Sequence, residues 1–144
     1  MHKLNKLTNK EIKSILRKIK ERYDTDKLEN NYIFFSNKEG KVYIINKEVS
    51  KVKNRLASHG IYFCKYEKDG IRLSIEGSMF IKNPKENVIK IDEEQFHDWM
   101  EGYDVFIEGK QGYFLLEYDG MIMGCTKGNS ENLRNFVPKH RRSH

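Results

Sequence analysis

The 144 residues predict an α+β fold: a small α/β module first, then a part built mainly of short strands around a small β barrel. Three observations carry this. Ile12, Ile15, Leu16, Ile19 and Tyr23 recur at helical spacing. Short apolar runs alternate with turn residues such as Lys68-Asp69-Gly70. In the last third, Tyr113–Tyr118 and Met121–Cys125 flank Asp119-Gly120, a strong hairpin signal because glycine accepts the positive φ of a tight turn.

In chain order, Thr8-Asn9-Lys10-Glu11 fits a capping box and starts a helix over 9–23. Its other face holds Lys10, Lys13, Arg17, Lys18, Lys20 and Arg22. That face reads as a solvated surface, with an accessory phosphate-contacting role as the alternative. A polar loop follows over 24–31. Tyr32–Phe35 and Lys41–Ile45 read as a hairpin around Asn37–Gly40. Glu48–Ser58, with Val49, Val52 and Leu56 on one side, reads as a second helix, and Gly60 suits its C-cap. Ile61–Tyr66 and Ile71–Ile75 are strands. Gly77 breaks the pattern, and Met79–Ile81 is one more strand.

Asn83-Pro84-Lys85-Glu86-Asn87 marks a boundary, giving a basic part over 1–83 and a second part over 84–144. It is polar, holds one of two prolines, and lies where net charge changes sign. Residues 1–82 carry 19 Lys+Arg against 10 Asp+Glu, and residues 83–144 carry 8 against 11. Beyond the boundary, Val88–Ile91 is a strand. Asp92 caps an acidic helix whose inward face is Phe96, Trp99 and Met100, and Gly102 stops it. Val105–Ile107 is a strand before the hairpin. Within the hairpin, alternation sends Tyr113, Leu115 and Glu117 one way and Phe114, Leu116 and Tyr118 the other. Lys127, Arg134, Lys139, Arg141 and Arg142 follow, opposed only by Glu131.

The net charge is +6, which favours an acidic partner such as nucleic acid. Cys64 and Cys125 lie far apart among apolar residues and read as two buried free thiols in a reducing compartment. No secretory signal and no apolar run of membrane-spanning length is visible, so the expectation is a soluble cytoplasmic protein with no membrane partner. His59, Cys64, His97, Cys125 and His140 form no close ligand pair, so no metal is expected. No Walker-type loop occurs, and no constellation assigns an acid, base or nucleophile. The expectation is a non-catalytic protein without a cofactor.

Gly102-Tyr103-Asp104-Val105, Gly112-Tyr113, the Asp119-Gly120 turn, Gly124-Cys125, Asn135-Phe136-Val137-Pro138-Lys139 and Arg141-Arg142 resemble the PUA-like tail of Sun-type RNA cytosine-5 methyltransferases and of small stand-alone archaeal relatives. The resemblance covers about residues 84–144. It implies a PUA-like pseudo-barrel that binds structured RNA, ribosomal or transfer RNA, in ribosome biogenesis or RNA modification. It also implies an RNA surface made by the short helix, the glycine loop after it and the last strand. By position these are the Gly102 region, Lys110, Gln111, Gly112 and Tyr113, then Lys139, His140, Arg141 and Arg142, with Lys127, Arg134 and Asn135 between them. The terminal cations suit phosphates, and Tyr113 suits either stacking on an unpaired base or a half-buried strand position. The family's catalytic part does not carry over, because residues 1–83 are too short and lack a G-x-G turn after a strand. Two other readings remain: a subunit docking on a separate RNA-modifying enzyme or ribosome-assembly factor, and a small enzyme acting on RNA or nucleotides.

Overall fold

The computed structural model describes residues 4–28, 31–48 and 60–142. Of the expected helix over 48–58 all but Glu48 lies outside them, while Gly60, its expected cap, is described. Helix α1, Asn9–Tyr23, begins as its sequence dictates: the Glu11 N–H donates to Thr8 Oγ1 (3.2 Å) and the Thr8 N–H to Glu11 Oε1 (3.0 Å). It stops at Asp24, which takes a left-handed conformation. Its buried stripe is Ile12, Ile15, Ile19 and Tyr23.

Strands β1 (Asn5–Lys6), β2 (Tyr32–Ser36), β3 (Lys41–Asn46), β4 (Ile61–Glu67) and β5 (Gly70–Leu73) form an antiparallel sheet in chain order. Residues after Leu73 depart from expectation. The predicted Met79–Ile81 strand is absent, and Ile75–Met79 is a short helix, α2. Ser74 redirects the chain by accepting the Gly77 N–H on its hydroxyl (2.8 Å). A Cβ on Gly77 would meet the Phe63 carbonyl oxygen at 2.0 Å, so the glycine lets α2 press onto β4.

The second sheet comprises β6 (Val88–Lys90), β7 (Gln111–Tyr118), β8 (Met121–Asn129) and β9 (Leu133–Arg134), in that order. β6 runs parallel to β7 and the other pairs are antiparallel. Among the described residues the order runs from β6 to β9 without closing on itself. Helix α3, Glu93–Glu101, has an Asp92–Gln95 capping box and a left-handed Gly102 at its end. Phe96 stacks on Tyr118 at 4.3 Å, fixing α3 to the hairpin. The predicted Val105–Ile107 strand shrinks to one bridge, Val105 to Leu133. The Asp104 carboxylate explains this, since it holds the Asn135 N–H and the Asn132 amide instead of letting a ladder extend. Asp119 (φ 51°) and Gly120 (φ 78°) make the two-residue turn between β7 and β8.

Strand β7 is a wall between two apolar clusters. Tyr113 and Leu115 enter the first, with Ile15, Tyr23, Val42, Phe63, Cys64 and Cys125. Phe114 and Leu116 enter the second, with Trp99, Val105, Leu133 and Val137. The alternation read from the sequence therefore holds side by side with its consequence: residues from before and after the Asn83–Asn87 stretch share one core.

Candidate nucleic-acid interface

The open end of the β7–β8 hairpin is shaped by backbone. Gly112 sits at φ 93°, and a Cβ on Gly128 would meet the Lys110 carbonyl oxygen at 2.2 Å. The Ser130 N–H donates to that same carbonyl (2.8 Å), and Ser130 Oγ donates to Gln111 Oε1 (2.8 Å). Lys110 is exposed there, with its ammonium 5.9 Å from the Phe114 ring centre.

Tyr113 is not a stacking platform. It is 6% exposed, and its hydroxyl donates to Asp69 Oδ1 (2.9 Å). Lys127 Nζ lies 2.5 Å from Asp69 Oδ2, so a residue expected to hold phosphate instead ties the hairpin to the β4–β5 turn. The Lys127 hydrogen bond, then that of Tyr113, holds the Asp69 carboxyl below its ordinary range. Burial first, and the Asp69 bond second, push the Tyr113 phenol up. Arg22 of α1 reaches across to donate Nε and Nη2 to the Tyr113 carbonyl (2.8 and 2.6 Å), and its guanidinium lies 4.9 Å from the Phe114 ring centre.

On the last strand, Arg134 is exposed and lies 5.5 Å from the Phe136 ring, while Arg72 of β5 lies 4.4 Å from the same ring. Asn135 is fully engaged. Its amide donates to the Trp99 and Tyr103 carbonyls, and its oxygen accepts the Val137 N–H, all at 2.8 Å. It anchors the last segment on α3 and has no donor left for RNA. Lys139–Arg141 form a 3₁₀ turn after Pro138. Arg141 is paired with Glu76 of α2. Arg142 donates Nε to the Val137 carbonyl (3.2 Å) and packs on Gly102, where a Cβ would lie 2.5 Å from its Nε.

The expected surface therefore sorts by commitment. Lys110, Arg134, Lys139 and His140 are exposed and bear no ion pair among the described residues. Gln111, Tyr113, Lys127, Asn135, Arg141 and Arg142 hold the protein together. Two features escaped sequence reasoning. Arg22 continues the apolar face, three residues after Ile19, a spacing that flagged an inward side chain. Phe106 is 81% exposed and Tyr103 62%. Phe106 lies between Val105 and Ile107, so alternation alone would have turned it outward.

Burial pushes the Cys64 thiol up to about 12 and the Cys125 thiol up to about 11, so neither is a thiolate at neutral pH. Among the described residues, no three His, Cys, Asp or Glu side chains gather in a metal-binding arrangement. No helix among them is long and apolar enough to cross a membrane.

Residues 86–143 match the family described as the methyltransferase RsmF PUA domain. Ribosomal RNA small subunit methyltransferase F of Shewanella oneidensis is 26% identical over 90 residues, which is 60% of this chain and 19% of that protein. The chain thus spans about one fifth of that relative's length. Fewer than 90 residues follow Glu86, so the similarity reaches upstream of the family match. The C-terminal part carries a PUA-like domain resembling the C-terminus of Sun-type methyltransferases.

Proposed function

We propose, from a PUA-like domain over residues 86–143, that this chain binds structured RNA in the service of ribosomal RNA modification, and that it makes or breaks no bond itself. The observation that carries the reading is the match to an RNA methyltransferase's PUA domain. Ribosomal RNA is preferred over transfer RNA because the similar Shewanella protein is named for the small-subunit ribosomal RNA. The exposed Lys110, Arg134, Lys139 and His140 are the phosphate contacts in this proposal. The burial of Cys64 and Cys125 speaks against one catalytic chemistry only, attack by a cysteine, which needs a reachable thiolate. The pseudo-barrel belongs to the same proposal, with the Val105–Leu133 bridge bringing the stretch after α3 beside β9. The division into 1–83 and 84–144 is proposed as one of sequence and charge only, since the two parts share an apolar cluster.

A salt series with a labelled RNA stem-loop tests it. Each neutralised phosphate contributes about −0.7 to the slope of log K against log salt for single-stranded contacts. The expected slope is negative and loses about 2 units when Lys110, Arg134 and Lys139 become glutamine. No binding at about 50 mM salt, or binding without a slope, contradicts the proposal.

One observation favours docking on a modifying enzyme as a second reading. Met79, Met100, Met121 and Met123 line an apolar groove of about 330 Å³ beside Ile75 and Trp99. Met79 is 59% and Met121 70% exposed, and methionine suits adaptable apolar contacts. The occupant would be the catalytic part of an RNA methyltransferase. Co-purification that survives RNase supports it, and loss on RNase treatment removes it.

A further inference from the structure

We infer that the cationic face of α1 is the principal phosphate-contacting surface of this molecule, continuous with the open end of the β7–β8 hairpin, and that its ligand is RNA. The inference rests on the RNA-binding reading above and moves the main contact to a different part of the chain.

Charge is the first argument. Residues 83–144, which hold the matched domain, carry 8 Lys+Arg against 11 Asp+Glu, while residues 1–82 carry 19 against 10. A polyanion meeting the matched domain alone would meet net negative charge. Helix α1 supplies what is missing. Its 15 residues span about 22 Å and expose Lys10, Lys13, Lys18 and Lys20.

Commitment is the second argument. The arginines of the last segment are held by protein groups, but these four lysines have no ion pair among the described residues. Two of the helix's own carboxylates are spoken for. Glu11 caps Thr8, and Glu21 faces Arg17 at 3.7 Å. Asp24 and Glu86 line a shallow pocket with Arg17, Lys20 and Glu21 at the C-terminal end of α1, so Lys20, one of the four lysines, has carboxylates beside it.

Position is the third argument. Arg22 bonds the Tyr113 carbonyl, and Asn87 Nδ2 donates to the Arg22 carbonyl (2.5 Å). The Lys85 and Glu86 N–H groups donate to the Tyr23 carbonyl (2.9 and 3.1 Å). These bonds fix α1 to the start of the matched domain. Lys18, Arg22, Gly70 and Gly112 line a groove of about 220 Å³ between the helix and the hairpin end. A Cβ on Gly112 would lie 3.3 Å from Arg22 Nη2, so the glycine sits close beneath that guanidinium. Asp69 also lines this groove, but its carboxylate is taken by Lys127 and Tyr113. A phosphate chain held at Lys110 can therefore continue through this groove to Lys18 on α1.

Fluorescence anisotropy with a labelled RNA stem-loop, over about 50 to 200 mM salt, tests this. The variant is Lys10→Gln, Lys13→Gln, Lys18→Gln and Lys20→Gln together, since glutamine keeps helix propensity, with circular dichroism as the fold control. Loss of about 3 units of salt slope and at least about tenfold in affinity at the upper salt is expected, at least matching the Lys110, Arg134 and Lys139 variant. An unchanged slope in the folded helix variant overturns this inference and leaves the RNA-binding reading standing. A parent protein that binds no RNA overturns both, as does a parent that binds phosphatidylserine vesicles in preference to RNA.

Discussion

The segment from Arg134 to Arg142 and the helix α1 are both basic, yet they use their cations differently. In the former, Arg141 is paired with Glu76 and Arg142 with the Val137 carbonyl, leaving Arg134, Lys139 and His140 outward. In the latter, only Arg22 turns inward, and the lysines stay in solvent. The planar guanidinium finds carbonyls and carboxylates readily, whereas a lysine on a helix surface keeps its hydration. A count of positive charges therefore overstates how many cations a segment presents to solvent when its arginines serve as struts.

The comparison presumes that both regions belong to one cooperative body, and the largest expected effects test that. Leu115 and Leu116 are fully buried on opposite sides of β7. Leu115→Ala and Leu116→Ala should each cost about 2–5 kcal/mol in urea unfolding, with one shared transition for probes of either cluster. Two separate transitions would break the presumption. Next, Arg22→Gln removes two charge-assisted hydrogen bonds to Tyr113 and should cost about 1.5–3 kcal/mol, with faster hydrogen exchange in α1. A smaller effect is expected for Thr8→Ala, about 1 kcal/mol, since it removes the capping box and frays the basic helix without touching its lysines.

The smallest effect is a pH dependence. Asp69 has a depressed carboxyl in the folded protein, so its contribution is present above the ordinary carboxylate pKa of about 4 and is lost as pH falls through the lower folded value. The stability gap between the parent and Asp69→Asn should accordingly narrow on acidification below about pH 4 and be flat from there to neutral pH. A gap that grows on acidification would contradict the Lys127–Asp69–Tyr113 arrangement.

Local chemistry made much of this readable. Thr8 and Glu11, Asp92 and Gln95, and the Asp119-Gly120 turn act within a few residues, so their geometry follows from their own sequence. The alternation along β7 was legible for the same reason. What escaped depended on distant partners. Met79–Ile81 looks like a strand until Ser74 and Gly77 turn Ile75–Met79 into a helix against the Phe63 carbonyl. Val105–Ile107 looks like a strand until Asp104 captures Asn132 and Asn135. Arg141 looks free until Glu76, 65 residues away, is placed beside it. For Tyr113 the sequence leaves base stacking and a half-buried strand position both open, because its neighbours do not reveal Asp69 or Arg22. The candidate site was thus legible as a region, and its membership was decided by contacts between the two parts.

Ultraviolet crosslinking of the purified chain to an RNA stem-loop, with the joined peptides mapped by mass spectrometry, addresses the central claim most directly. The account predicts crosslinked peptides from Asn9–Tyr23 and from the segments holding Lys110 and Lys139, on one RNA. Crosslinks confined to other surfaces, or none under conditions where a known RNA-binding protein is captured, would contradict it.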